Sequence, residues 1–109
     1  MRSFSDRFSL AVHIAIAGKL RTDANEVLNI ARTNLNRWIS SGNFDRPEMA
    51  SLREWMKILD RKRADEIADM ITSDTDEGQR LRSSSPFVGI LSHEERDKTW
   101  SECAEIGLA

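Results

Sequence analysis

The apolar positions of this chain recur mostly at three and four residues, the spacing of one face of a helix. Phe4, Phe8, Ala11, Val12 and Ala15 follow it from the N-terminus. Ser3 with Asp6 has the spacing of a capping box, so a first helix is predicted over about 3–17, stopping near Gly18. Leu10, Ile14 and Ile16 add apolar surface on its other sides, which predicts contact with more than one neighbour. A short helix at 23–28 and a third at 32–40 follow, separated by a turn at Asn29 and closed by Gly42. Asp45-Arg46-Pro47-Glu48 opens a fourth helix with its proline in the first turn. Met49, Leu52, Trp55, Met56 and Leu59 form its apolar face, and Arg61-Lys62-Arg63 marks its end. Ala64, Ile67, Ala68 and Ile71 predict a fifth helix over 64–72.

Beyond residue 72 the pattern breaks. Residues 73–86 are polar and show no apolar period, so they read as a linker. An apolar patch, Phe87-Val88-Gly89-Ile90-Leu91, comes next. Ser92 and Glu95 then form a capping box for an amphipathic helix over 93–106, with Trp100, Cys103, Ala104 and Ile106 on one side. The expected fold is all-α. A compact five-helix helix-turn-helix domain spans 1–72, a polar linker 73–86 and a C-terminal helical segment 87–109.

Composition narrows the function. The single cysteine, Cys103, rules out an intrachain disulfide, and with only His13 and His93 in the chain no zinc set is evident. His13 reads as a packed histidine, and Trp38 and Trp55 as core. No signal peptide or membrane-length apolar run is seen, so a cytoplasmic protein is expected. Gly-rich phosphate loops, nucleophile elbows and paired metal motifs are absent, so neither an enzyme nor a cofactor is expected. The net charge of −2 hides an asymmetry. Residues 1–63 carry 12 Lys and Arg against 7 Asp and Glu, whereas 64–109 carry 4 against 11. A basic front and an acidic back suggest two surfaces with different partners.

Residues 21–40 carry the functional expectation. Ala24, Leu28, Ile30, Leu35 and Trp38 sit at intervals that would pack two crossed helices, and Asn29 tolerates the turn between them. Arg32, Thr33, Asn36, Arg37 and Ser40 fall on the outer face of the second helix. Arginine grips guanine and asparagine grips adenine with paired hydrogen bonds, while Thr and Ser serve bases or phosphates. These five are the candidate base contacts. Lys19, Arg21, Thr22 and Lys62 are the candidate phosphate contacts.

With Asn-Leu-Asn-Arg-Trp-Ile at 34–39 and Leu-Arg-Glu-Trp at 52–55, residues 21–60 resemble lambda-repressor-like phage and bacterial regulators, most closely the lambda CII type. The resemblance implies that the segment ending in Arg-Trp is a recognition helix, with Arg32, Thr33, Asn36 and Arg37 toward DNA and Leu35 and Trp38 inside. It also implies a dimer or tetramer. Asn29 stands where the family's turn has glycine, and Asn25 where its first motif helix has alanine. The expected function is sequence-specific binding of duplex DNA by a transcription regulator, a repressor or an activator, working as a homodimer. The alternative is a protein-binding antagonist that keeps the scaffold and blocks a regulator. A sequence pI near 5.7 favours the alternative. The candidate dimer or partner surface is Phe4, Phe8, Leu10 and Ile14 in the first helix, with Phe87, Val88, Leu91, Trp100 and Ile106 in the C-terminal segment.

Overall fold

The computed structural model describes residues 3–108, with side chains through residue 104. Six helices and no strand occur among the described residues. They are α1 (Phe4–Thr22), α2 (Ala24–Ser41), α3 (Arg46–Arg61), α4 (Ala64–Ile71), α5 (Asp76–Ser83) and α6 (His93–Leu108). The chain is therefore all-α.

Local chemistry sets most of the helix ends. Ser3 Oγ accepts from Asp6 N at 3.2 Å and caps α1. Asp45 Oδ1 accepts from Glu48 N at 2.9 Å and caps α3, with Pro47 in its first turn. Gly42, left-handed at φ 72°, closes α2. Ser92 and Glu95 exchange hydrogen bonds across the start of α6, at 2.9 and 3.1 Å.

Three expectations are corrected. Gly18 does not stop the first helix, which runs on to Thr22. A glycine inside a helix costs roughly 1 kcal/mol against alanine, which the buried Ile16, Ala17 and Leu20 around it outweigh. There is no turn at Asn29. The two short helices expected at 23–28 and 32–40 are one continuous α2, and no non-glycine residue has positive φ among the described residues. Val27, Ala31 and Leu35 are buried at an unbroken helical spacing, so the core holds the segment straight. Without the glycine that a left-handed turn favours, nothing local stops it. Finally, residues 73–86 are not a linker. Thr75 Oγ1 caps α5 by accepting from Gly78 N at 3.0 Å, and Gly78, Leu81 and Arg82 are buried. A glycine and an arginine on the inner face disguised the helical period. Gly78 lies so near Ser73 O that an added Cβ would sit 2.2 Å from it.

α1 is the hub, packing against α2, α4, α5 and α6 as its apolar circumference predicts. α2 and α3 pack side by side as an antiparallel hairpin. The core gathers Leu20, Leu35, Trp55, Ile67 and Ile71, all essentially without exposure. Phe87 and Leu91, expected on a partner surface, belong to this core instead, with Phe87 edge-on to Trp55 at 5.6 Å. Trp55 Nε1 donates to Leu81 O at 3.0 Å, satisfying the one polar atom of a buried indole. Arg82 donates to the carbonyls of Ser73 (2.6 Å) and Ile71 (3.3 Å) and so ties α5 to the end of α4.

Candidate nucleic-acid interface

The α2–α3 hairpin turns two polar stripes to solvent. On α2 they include Asn29, Thr33, Asn36, Arg37 and Ser40, all exposed and all within one face of the helix. Four of the five expected base contacts are here together. Thr33 Oγ1 donates back to Asn29 O at 2.8 Å, and Arg37 Nη2 donates to Asn34 Oδ1 at 3.1 Å.

Arg32 is the exception. It points sideways to the end of α3, where it pairs with Asp60 and donates to Leu59 O at 2.8 Å. It fastens the hairpin. Asn34, part of the motif that carried the resemblance, is buried at 7% exposure. Its Nδ2 donates to both Pro86 O and Val88 O at 2.9 Å, holding the segment before α6 against α2.

The expected phosphate contacts divide the same way. Lys19 pairs with Glu95 at 2.9 Å and Arg21 with Asp69 at 3.0 Å. Lys19 and the Ser92 backbone N–H together hold the Glu95 carboxyl below its usual range, the backbone bond being the stronger cause. Thr22 Oγ1 donates to Gly18 O at 3.2 Å and stays on its own helix. Lys62, exposed at the end of α3, is the one of the four whose side chain makes no bond among the described residues.

Sequence reasoning missed the larger feature. Arg46, Arg53, Lys57 and Arg61 stand at i, i+7, i+11 and i+15 on α3, one stripe about 22 Å long. All four are exposed, as is Lys62 at the helix end, and none of the five makes an ion pair among the described residues. They line an open groove of about 1030 Å³ together with the apolar Phe44, Met49 and Ile58. Arg80 also borders the groove, but Glu54 takes its guanidinium in two bonds of 2.9 Å, and Glu77 takes two more. That contact lowers the Glu54 carboxyl and raises Arg80, so Arg80 adds little free positive charge. The signal was the spacing itself, readable on the fourth helix that the sequence already predicts, opposite the apolar face that drew attention there.

The expected partner surface is also redistributed. Phe4, Phe8 and Trp100 form an aromatic cluster between α1 and α6, with Trp100 edge-on to both rings at 4.7 and 5.2 Å. Trp100 is 52% exposed, Ile14 55% and Val88 58%, while Leu10 is half-buried. Ile106 lies outside the described side chains. His13 is buried, as expected, with Nε2 at 2.8 Å from Ser85 Oγ and Nδ1 at 2.7 Å from Ser9 O. No cluster of metal-ligating side chains occurs among the described residues, and no described helix is long and apolar enough to cross a membrane. The chain matches no known protein family, no characterised protein and no solved structure.

Proposed function

We propose that this protein is a DNA-binding transcription regulator of phage or bacterial type, and that it meets duplex DNA with the outward side of the α2–α3 hairpin. The observation that carries the proposal is the α3 stripe of Arg46, Arg53, Lys57 and Arg61, exposed and without carboxylate partners among the described residues. Cations left unneutralised in a line suit a phosphate backbone, where each contact releases condensed counterions. The neighbouring α2 face supplies the groups that read base edges: Asn29, Thr33, Asn36, Arg37 and Ser40. The resemblance of residues 21–60 to lambda-repressor-like regulators agrees in function, with a single long helix standing where that class has two.

The test is a fluorescence titration of labelled mixed-sequence duplexes at ~50 and ~200 mM salt. Binding that weakens steeply with salt, and loses about two units of log–log slope in Arg53→Ala/Lys57→Ala, supports the reading. Indifference to DNA at low salt in both proteins rejects it.

The antagonist reading keeps one observation of its own. The half-exposed Trp100 and the exposed Ile14 lie on α6 and α1, not on α3, and suit an apolar contact. A protein partner held there would bind with little dependence on salt.

A further inference from the structure

A second groove opens between the start of α3, the end of α2, α1 and the segment 83–88, with a volume of about 760 Å³. It shares only Phe44 and Ser51 with the α3 groove. Its size is that of pockets that take small molecules. Its walls are apolar, from Ile16, Trp38, Leu52 and Phe87. Of the four large hydrophobic side chains exposed among the described residues, two stand at this groove, Phe44 at 36% and Val88 at 58%.

The groove is built, not incidental. The two bonds from Asn34 fix the carbonyls of Pro86 and Val88. His13 bonds Ser85 Oγ at 2.8 Å, and the same oxygen accepts from Phe87 N at 3.2 Å. Phe87 is wedged against Trp55. One wall is therefore held in place before any ligand arrives, which lowers the ordering cost of binding.

Its polar groups have a sign. Arg82 and Arg96 line it against a single carboxylate, Glu48, and burial keeps His13 neutral by lowering its pKa. Of the serines along one side, Ser83 donates its hydroxyl to Arg80 O and Ser85 gives its own to the neutral His13 ring, which leaves the Ser84 hydroxyl for a ligand. We propose that this groove binds a small amphipathic carboxylic acid, its apolar body between Trp38, Phe44 and Val88 and its carboxylate toward Arg96 and the Ser84 hydroxyl. Arg96 stacks over the Phe8 ring at 5.5 Å, which holds its guanidinium near the groove while leaving its N–H edge free to turn to an anion.

The experiment titrates the full chain with three probes of one chain length: decanoate, decanol and decyltrimethylammonium. Amide and methyl NMR shifts locate binding, and calorimetry gives affinity. The expected result is saturable binding of decanoate, with the largest shifts at Val88 and the Trp38 indole. Decanol should bind at least about tenfold more weakly and the ammonium not at all, as the loss of a charge-assisted bond predicts. Arg96→Ala should weaken decanoate about tenfold, and Val88→Asp, an exposed site that leaves the fold intact, should abolish it. No saturation with decanoate, equal affinity for decanol, or shifts centred on Trp100 would each overturn the proposal.

Discussion

Lys19, Arg21 and Arg32 each end on a carboxylate of another helix: Glu95, Asp69 and Asp60. Arg46, Arg53, Lys57 and Arg61 end on none among the described residues. Both groups come from the same basic stretch of sequence. The first group spends its charge inside the molecule, fastening α1 to α6, α1 to α4 and α2 to α3. The second keeps its charge in one row facing water. Net charge in a segment therefore says little about a binding surface until the intramolecular partners are known. Asparagines on α2 teach the same lesson two residues apart. Asn34 is buried and holds two carbonyls, whereas Asn36 is exposed.

The sharpest break in the comparison is charge reversal on α3. Arg53→Glu/Lys57→Glu should reduce duplex affinity on the order of 100-fold at low salt and leave the thermal transition nearly unmoved. The same reversal of Lys19 and Arg21 should shift the transition and change affinity far less. Equal losses of affinity from both pairs would erase the distinction.

The two asparagines come next. Asn34→Ala removes the partner of two carbonyls and of Arg37, at a cost of about 2–3 kcal/mol in denaturant unfolding. Asn36→Ala should stay within ~0.5 kcal/mol of the parent in stability and relax base preference at one position. A large stability cost at Asn36 would mean that its side chain is structural.

Much of the fold was legible in the sequence because caps and apolar periods are local signals. Ser3, Asp45, Gly42 and the Ser92–Glu95 pair each mark an end that the structure shows. What escaped were features that depend on distant partners. α5 hides its inner face behind Gly78 and Arg82, which bury because Ser73 O and the carbonyls of Ile71 and Ser73 lie close by. Phe87 and Leu91 looked like a free patch because Trp55 and the core they join are far away in sequence. Asn29 looked like a turn because its side chain permits one. Whether the chain turns there is decided by Val27, Ala31 and Leu35, which are buried on one continuous side. On the candidate site, the α2 face was legible from helical spacing alone. The pairing of Arg32 with Asp60 was not, since it needs α3 folded back beside α2.

A smaller effect is expected at that fastening. Arg32 and Asp60 are both part-exposed, so their ion pair is worth about 0–1 kcal/mol. Arg32→Met should cost roughly that in urea unfolding, and its effect on DNA affinity should be small beside that of the α3 pair. A loss as large as for Arg53→Glu/Lys57→Glu would return Arg32 to the base-reading set that the sequence suggested.

The smallest effect is a pH dependence from His13. Burial lowers its pKa in the folded protein below the ordinary value of 6.5, and nearby Arg82 adds to the shift while the bond to Ser9 O opposes it. The unfolded chain therefore takes up a proton at higher pH than the folded one. The stabilisation from neutral His13 is fully present above about pH 6.5 and is lost as pH falls from there toward the folded pKa. Within that window stability should decline by up to about 1.4 kcal/mol per pH unit. His13→Gln keeps a hydrogen-bonding side chain and removes the titration. Chemical unfolding of both proteins from pH 7.5 to 5 checks this: the parent's decline should flatten in the variant. If both decline in parallel, the lost stability belongs to other groups, and the His13–Ser85 bond is held whatever the charge on the ring.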